Sequence, residues 1–379
     1  MNVYRNSVIL SWCYFLTLGI AFSQIVVDNG DRPRNPNAGR IIPLQEVLRI
    51  REDGEKIIFK SPIRLALGTD IYLFFVDGEH LYRFDKDGKF LLQDVHAGEG
   101  PGECEYLDQF LIFPDRIRIL SWIPPKIMDF DFRGKLLKDT RTKIAGPFWY
   151  MIRVDEKIYG IRDEIRHSDA IFKTGLIETP YTIYEINDDF QSFRKIADIP
   201  ILHFIQKARW VRRVMLDFAW QGHFLYIIRT AEYQIEKLDL RTGRIERILR
   251  RKYPRQKLTP KEAKEEYKEP GQGVLAPPPM TYSFEIEHIL IIKDSLWVVT
   301  FTEKDNGHQR LIDIFDLEGN YIDSLFIKFP PGQKYHKLGR SLVSNDGFLY
   351  VPEVDEDDLI SIGKYKIPDI AVPAASLNK

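Results

Sequence analysis

The chain has 379 residues, of which 44% are hydrophobic and 13% aromatic, and its formal net charge is -1. This composition supplies ample apolar residues for a large core. The near-neutral charge argues against nucleic acid as a partner, because phosphate binding requires a positive field over the contact face.

The first 23 residues have the pattern of a secretory signal peptide. Arg5 supplies a positive charge, residues 8–22 form an uncharged apolar run, and Ala21-Phe22-Ser23 has the spacing of small residues found at a cleavage site before Gln24. The alternative is a membrane anchor, but the run is shorter than the roughly 20 residues that span a bilayer. We therefore expect an exported protein, periplasmic or extracellular, with no stable membrane span after cleavage.

Cysteine content excludes an internal disulfide in the mature chain. Cleavage of the signal peptide removes Cys13 and leaves Cys104 alone. Stability must then come from packing, as expected for a chain without disulfides. We interpret Cys104 as a small buried residue rather than as a reactive thiol.

Residues 24–44 are rich in Asp, Asn, Gly and Pro and have no periodic pattern. Such composition predicts a flexible arm before the folded domain. Strand patterns begin near Val47, and the tail over residues 368–379, rich in Ala and Pro, is expected to be disordered.

A short hairpin turn recurs along the chain. Its first copy is Phe84-Asp85-Lys86-Asp87-Gly88-Lys89, in which Asp binds backbone amides and Gly supplies the positive φ of a tight turn. The later copies are centred on Asp131, Asn187, Asp239 and Asp316. In the third copy Phe190 replaces the glycine, which predicts a different turn type. Repetition at intervals of roughly 40 to 60 residues, with one longer interval, indicates a repeated sheet unit.

Six apolar runs accompany these turns and have the composition of strands. They cover residues 71–75, 117–120, 157–160, 224–228, 296–299 and 348–351. Continuous apolar runs fit strands that pack on both faces, and the regular period favours radial closure over an open sandwich. The sequence therefore predicts an all-β fold, a six-bladed β-propeller over residues 45–367.

The last predicted blade lacks an outer strand after Tyr365. A propeller is usually closed by pairing a strand from one terminus into the last blade, so that no edge stays exposed. We predict that the segment from Val47 to Phe59 supplies this strand.

The most distinctive short motif is Gly98-Glu99-Gly100-Pro101-Gly102-Glu103, directly after the first blade. Its glycines permit a tight path with positive φ. The motif lacks the Lys-Ser/Thr ending of a P-loop and does not open a helical pattern. We interpret it as a crossover between blades rather than as a phosphate cradle. The structural residues of the motif are Gly98, Gly100, Pro101, Gly102 and Glu103.

This motif, the leader and the Phe-Asp-x-x-Gly-Lys turns together resemble the exported six-bladed β-propeller proteins of Gram-negative bacteria, relatives of the NHL-repeat and TolB-like propellers. The resemblance covers about residues 44–367. The chain departs from the family pattern at Cys104, where the family generally has Phe. The resemblance implies the fold and an exported location, and it carries over no catalytic residues.

A dense polar loop in blade three runs from Arg162 to Asp169 and contains Arg166 and His167. Loops at one end of a propeller usually carry its function, because the blades supply a rigid support. His167 and the acids around it could form a metal or acid–base group, or the loop could be a solvated charged surface.

A second candidate group consists of Arg209, Trp210, Arg212 and Arg213. Arginines beside an aromatic residue suit a carboxylate, a phosphate or a sugar ring, through bidentate hydrogen bonds and stacking. Alternatively, these residues belong to a strand whose alternate side chains face solvent.

The longest interval between turns contains a predicted insertion. Residues 259–267 begin with Thr259 at a cap position and Pro260 in the first turn, which predicts a short helix before blade five. The insertion is expected to lie over one end of the propeller.

Two functions of different classes remain. The first is a monomeric binding or scaffolding module, without cofactor, for a partner protein, peptide or glycan in the cell envelope. The second is a metal-dependent hydrolase or lyase, lactonase-like, with one calcium or zinc ion in the central channel. The sequence contains no His-x-His or His-Glu-x-x-His pair and no Gly-x-Ser-x-Gly turn, which favours binding and assigns no catalytic residue.

Overall fold

The computed structural model describes residues 24–51, 64–67, 73–76, 81–85, 87–93, 95, 98–142, 148–206, 209–212, 214, 216–261, 280–331, 334–335, 342–343, 347–355 and 359–367. In these residues, 28 strands form six sheets. Each sheet is one blade, and the strands within a blade pair mostly with their neighbours in sequence. The prediction of an all-β, six-bladed β-propeller is confirmed.

Three strands precede the first blade, and they are β1 (Ile25–Asn29), β2 (Arg40–Pro43) and β3 (Gln45–Arg51). Blade one contains β4 (Arg64–Leu67), β5 (Leu73–Val76), β6 (Leu81–Phe84) and β7 (Phe90–Gln93). Blade two contains β8 (Tyr106–Ile112), β9 (Ile117–Ile123), β10 (Pro125–Phe130) and β11 (Leu136–Arg141). Blade three contains β12 (Tyr150–Val154), β13 (Lys157–Asp163), β14 (Gly175–Ile186), β15 (Phe193–Gln206) and β16 (Arg209–Arg212).

Blade four contains β17 (Leu216–Gln221), β18 (Phe224–Arg229), β19 (Glu232–Asp239) and β20 (Arg244–Arg251). Blade five contains β21 (Ile286–Ile292), β22 (Ser295–Lys304), β23 (Gln309–Asp316) and β24 (Tyr321–Lys328). Blade six contains β25 (Lys334–Tyr335), β26 (Leu342–Val343), β27 (Phe348–Val354) and β28 (Ile360–Lys366). Three short 3-10 turns cover Glu164–His167, Asp169–Phe172 and Asp305–Gly307.

The core lies between the blades. Each pair of neighbouring blades shares one apolar cluster of buried side chains, and the cluster around Ile50, Tyr82 and Tyr350 joins blade six to blade one. An open sandwich has no such contact between its first and last elements. The six clusters therefore establish radial closure.

Blade six is completed by the N-terminal strand β3, which pairs antiparallel with β28. Arg49 of β3 reaches across the sheet, where its Nη1 lies 2.5 Å from Oε2 of Glu353 and its Nη2 donates to the Tyr365 hydroxyl at 2.8 Å. The Glu353 side chain is fully buried, and burial raises its pKa although Tyr365 and Arg49 act to lower it. The predicted closing strand is confirmed over residues 47–51 and begins at Gln45, and residues 52–59 of the predicted segment lie outside the described residues.

Residues 24–44 differ from the flexible arm that the sequence predicts. β1 pairs in parallel with β20 of blade four, and β2 pairs in parallel with β24 of blade five. The short β-branched runs of β1 and β2 form strands because they pair with the edges of two blades. Local composition does not reveal such tertiary partners. Side chains add to the pairing, since Arg40 forms a bidentate ion pair with Asp323 at 2.8 and 3.0 Å.

We call residues 25–51 the N-terminal strap. The Asn29 side chain donates to the Gly319 carbonyl at 2.9 Å and accepts from the Tyr321 amide at 2.9 Å, so β1 contacts blade five while it pairs with blade four. The strap thereby links blades four, five and six along their outer edges.

The recurring turns form as the sequence predicts. Asp131 accepts the amides of Arg133 and Lys135 at 2.8 and 2.9 Å, and the Lys135 amide, followed by that of Arg133, lowers the pKa of Asp131 although desolvation opposes it. The expectation of a different turn at Phe190 is confirmed, because Asn187 donates its amide to the Ser192 carbonyl five residues on, whereas Asp131 donates to Lys135 four residues on. Phe190 adopts φ +55° and donates its amide to Asn187 as the glycines do, and its fully buried ring accompanies this uncommon backbone conformation.

The propeller has two different ends. Because neighbouring strands within a blade are antiparallel, the turns after the first and third strands of a blade lie at one end, which we call the turn end. The connections after the second strand, and those between blades, lie at the opposite end, which we call the crossover end. The recurring turns at Asp85, Asp131, Asn187, Asp239 and Asp316 lie at the turn end.

The predicted helical insertion falls mostly on residues 262–279, which lie outside the described residues, as do the predicted tail and the leader. Residues 260–261 begin a helical turn. Among the described residues, no helix has the length and the apolar character needed to cross a bilayer.

The Arg49→Met variant tests the closing contact. Loss of the cation leaves the buried Glu353 carboxylate without its charge partner, which typically costs about 3–5 kcal/mol in the free energy of unfolding. Arg51→Met, an exposed arginine of the same strand, is the matched control and should change stability by less than about 0.5 kcal/mol. Urea unfolding measures both, and equal stabilities would show that Arg49 does not secure the ring.

Candidate functional site

The outer hairpin of blade three is longer than its counterparts. β14 and β15 have 12 and 14 residues, whereas the equivalent strands of blade four have 8 each. β13 ends opposite Tyr181, so residues 175–180 of β14 and residues 200–206 of β15 project past it at the crossover end. β16 pairs with this projection through residues 203–206. We call residues 175–180, 200–206 and 209–212 the ledge.

One face of the ledge is buried and carries a chain of polar side chains. His203 is fully buried, and its Nδ1 lies 2.9 Å from the Thr179 hydroxyl while its Nε2 lies 3.4 Å from Oδ2 of Asp163. Asp163 also accepts the Ile165 amide at 3.1 Å. Tyr181 stacks nearly parallel to the imidazole, with a ring-centroid distance of 6.4 Å. This chain of contacts fixes the base of the ledge to β13.

Two 3-10 turns support the same face. The turns at Glu164–His167 and Asp169–Phe172 place Ile165 and Ala170 against Ile205 of β15, and all three side chains are buried. Ser168 caps the second turn by accepting the Ala170 amide at 3.1 Å. The polar loop of blade three is therefore a compact element packed under the ledge.

The opposite face of the ledge is exposed and largely apolar. In the strand register, Leu176 lies opposite Phe204, and Glu178 lies opposite Leu202. Leu176 is 52% exposed and Leu202 is 37% exposed, and Phe204 is half-buried. A contiguous apolar patch on an exposed sheet face is a common mark of an interaction surface.

The predicted binding residues come from two separate stretches of sequence, and the backbone places both at the crossover end of blade three. Arg166 and His167 belong to the first 3-10 turn, and Arg209, Trp210 and Arg212 belong to β16. The side chains of these five residues, and the whole of Arg213, lie outside what the structure describes. Their role in binding stays a prediction.

Two of the acids near His167, Asp163 and Glu164, have other partners. Glu164 accepts from Nε of Arg162 at 2.8 Å and from the Tyr184 hydroxyl at 2.7 Å. Burial, followed by the hydrogen bond to Glu164, raises the pKa of Tyr184. These contacts secure the start of the loop to β14, which is a structural role.

His203 and Thr179 are the buried polar residues that sequence reasoning missed. In β15 the alternate positions Ile199, Ile201 and Ile205 are buried, and His203 occupies the position between the last two. The sequence signal for a buried His203 was its position in an alternating series of isoleucines, because alternate side chains of a strand point to the same face.

The Gly-Pro-Gly motif joins blades one and two, as interpreted from sequence. Glu103 folds back so that its carboxylate accepts the Gly100 amide at 3.0 Å. Lys126 of β10 donates to the Gly100 carbonyl at 2.7 Å and pairs with Asp139 of β11 at 3.1 Å. These contacts satisfy the amide and carbonyl of Gly100 within the protein, which fits a crossover between blades.

Cys104 follows the motif and is buried against Leu107 and Phe110. Burial raises the pKa of its thiol, which disfavours the reactive thiolate. The interpretation of Cys104 as a packing residue is confirmed.

Among the described residues, no group of three or more His, Cys, Asp or Glu side chains is arranged to hold a metal ion. The ionisable pairs found there, such as Asp217 with His288 and Asp313 with Arg251, lie buried between strands. Asp313 also accepts from the hydroxyls of Tyr233 and Tyr321, at 2.6 and 2.7 Å. These contacts connect the third and fourth strands of blade four with those of blade five.

The comparisons with known proteins agree with this architecture. Residues 63–195 match the DUF5128 family model, which is described as a 6-bladed beta-propeller. The matched segment covers blades one and two and most of blade three. None of the curated proteins compared with the chain matches it.

Two solved structures share the fold over most of the chain. One is a protein of Bacteroides fragilis NCTC 9343 described as exported, with 11% identity and a TM-score of 0.51, covering 90% of this chain and 99% of that protein. The other is a member of the DUF4221 family from Bacteroides vulgatus, with 10% identity and a TM-score of 0.52, covering 86% of this chain and 98% of that one. At such identities the likeness concerns the fold alone.

The His203→Leu variant tests the buried contacts under the ledge. It removes the hydrogen-bond partner of Thr179 and one partner of Asp163, and an unmatched buried polar group costs about 1–3 kcal/mol. We expect faster proteolytic cleavage within residues 164–172 together with this loss of stability in urea.

The matched control is Leu202→Gln, the adjacent residue on the exposed face, which should change stability by less than about 0.5 kcal/mol. If His203→Leu were as stable and as resistant to proteolysis as the control, the polar chain would not hold the ledge in place.

Proposed function

We propose that this protein is an exported binding or scaffolding module that holds a partner protein of the cell envelope on the ledge of blade three. The observation that carries the proposal is the exposed apolar face formed by Leu176, Leu202 and Phe204. The projection that bears this face extends past the end of β13, and in the described part of the chain Leu176, Leu202 and Phe204 belong to none of the apolar clusters between blades. An apolar face that does not serve the packing between blades is best explained by recognition.

The chemistry of the ledge favours a protein over a glycan. Leu176 and Leu202 are aliphatic and offer apolar area, whereas sugar sites depend on aromatic stacking and on converging hydrogen-bond groups. Glu178 is exposed between them and suits a polar contact at the rim. A partner that presents an apolar surface with a basic side chain would complement this face.

The predicted arginine group borders the ledge. Arg209 lies opposite Gln206, a register position of the exposed face, whereas Arg212 lies opposite His203, a register position of the buried face, and β16 forms the outer border. Arginines at the border of an interface contribute bidentate hydrogen bonds to carboxylates. We propose that Arg209, Trp210, Arg212 and Arg213, together with Arg166 and His167, add polar specificity to an apolar contact.

Export is part of the proposal. The leader pattern of residues 1–23 supports it, and so does the likeness of fold to a Bacteroides fragilis protein that is described as exported. We also propose that the protein is a monomer, that it needs no cofactor, and that it is related to the NHL-repeat and TolB-like propellers.

Site-specific photo-cross-linking tests the ledge directly. A benzophenone side chain at position 202 should give one discrete adduct with an envelope protein in intact cells. Position 193 is the matched control, because Phe193 lies on the same strand with a similar exposure of 40%, but at the turn end. Leu176→Glu, a charge on the apolar face, should reduce the adduct from position 202 at least tenfold.

Equal adducts from positions 202 and 193, or no adduct from position 202, would contradict the proposal. N-terminal sequencing of the cross-linked chain is the control for export, and a mature chain that begins at Gln24 is expected.

Metal content separates this function from that of a propeller hydrolase or lyase. The mature protein, purified without chelators or added metal and analysed by elemental mass spectrometry, should be folded and free of stoichiometric calcium or zinc. One equivalent of either metal per chain would instead favour a metal-dependent enzyme with its site in the central channel.

A further inference from the structure

The outer edges of the blades are covered unequally. Blades four, five and six each receive an additional strand from the N-terminal strap, and blade three carries β16 along part of its edge. In the part of the chain that the structure describes, β11 of blade two pairs only with β10. No strand of the described residues lies against its other edge.

The backbone groups along this edge can be assigned from the register. Thr142 donates its amide inward to the Pro125 carbonyl at 3.1 Å. Because the direction of backbone groups alternates along a strand, Asp139 and Arg141 direct their N–H and C=O groups away from β10. The edge therefore presents donors and acceptors in the order that an added strand requires.

The same molecule shows how such an edge is filled. β1 lies parallel to β20, with the Lys252 amide donating to the Asn29 carbonyl at 3.2 Å. β2 lies parallel to β24, with the Leu44 amide donating to the Lys328 carbonyl at 2.9 Å. In both cases the added strand is short, extended and β-branched. The outer strand of a blade in this fold thus accepts a parallel strand.

Charge and exposure around β11 define the kind of strand that fits. Cations dominate the exposed positions beside the edge, namely Arg133, Lys135, Lys138 and Arg141. The only acid within β11 is Asp139, and it is already engaged by Lys126 and by the Gly102 amide. Leu137 is 52% exposed and offers an apolar contact. An incoming strand that carries acidic and β-branched side chains would match both features.

We propose that the β11 edge of blade two is a second binding site, which takes an extended, acidic and β-branched segment of another protein as a parallel fifth strand. Main-chain hydrogen bonds to Asp139 and Arg141 provide the affinity, and the cations and Leu137 provide the selectivity. This site is independent of the ledge, since it uses the outer rim of a different blade.

A peptide that covers Gln24 and the start of the strap is a defined probe. Residues 24–31, Gln-Ile-Val-Val-Asp-Asn-Gly-Asp, contain three β-branched residues and two aspartates. The capped, dye-labelled peptide should bind the intact protein saturably, as measured by fluorescence anisotropy. Binding to Arg141→Pro should be at least tenfold weaker than binding to Arg141→Ala, because both variants lose the charge and only the proline loses the outward amide. A peptide with lysine in place of both aspartates should also bind at least threefold more weakly.

Hydrogen exchange locates the peptide on the unmodified protein, and it keeps the test decisive if Arg141→Pro does not fold. Added protection is expected at the amides of Asp139 and Arg141. Three results would overturn the proposal: no saturable binding, equal binding to the two Arg141 variants, or added protection only at other strands. A concentration-dependent dimer that Arg141→Pro abolishes would also overturn it, by showing that the edge pairs with a second copy of this chain.

Discussion

Closure of the ring through the buried contact of Arg49 with Glu353 and Tyr365 is the constraint on which the rest of the propeller depends. The two ends of the chain meet in blade six, and the apolar cluster that joins blade six to blade one forms only when β3 is in place, because Ile50 belongs to it. A carboxylate as deeply buried as Glu353 is tolerated only with its charge partner. The closing strand is therefore specified by electrostatics as well as by backbone pairing.

The closed ring supports two kinds of surface that it does not itself require. The ledge is a continuation of β14 and β15, and the buried chain Thr179–His203–Asp163 extends the order of the blade into the projection. The edge of β11 is the reverse case, because no strand of the described residues lies against it, whereas blades four and five each receive one from the strap.

The repeated architecture is legible in the sequence because it depends on local chemistry. Asp131 and Gly134 specify a turn through backbone amides and positive φ, and such a turn can be predicted from its own few residues. The strap cannot be predicted in this way, because Val26 and Ile41 form strands only against sheet edges that lie more than 200 residues away in the sequence. The burial of His203 depends on Thr179 and Asp163, so its surroundings follow from the register rather than from its own segment. Phe190 shows the same limit, since packing overrides its local preference.

Native-state hydrogen exchange of the mature protein, followed by mass spectrometry at increasing denaturant, tests most directly whether the closed ring and the ledge form one rigid unit. The amides of β3 and of residues 176–179 and 201–205 should exchange only through global unfolding, as slowly as those of the central strand β13. Exchange of β3 or of the ledge at the rate of an unstructured peptide, while β13 stays protected, would contradict a closed propeller with a preformed binding surface.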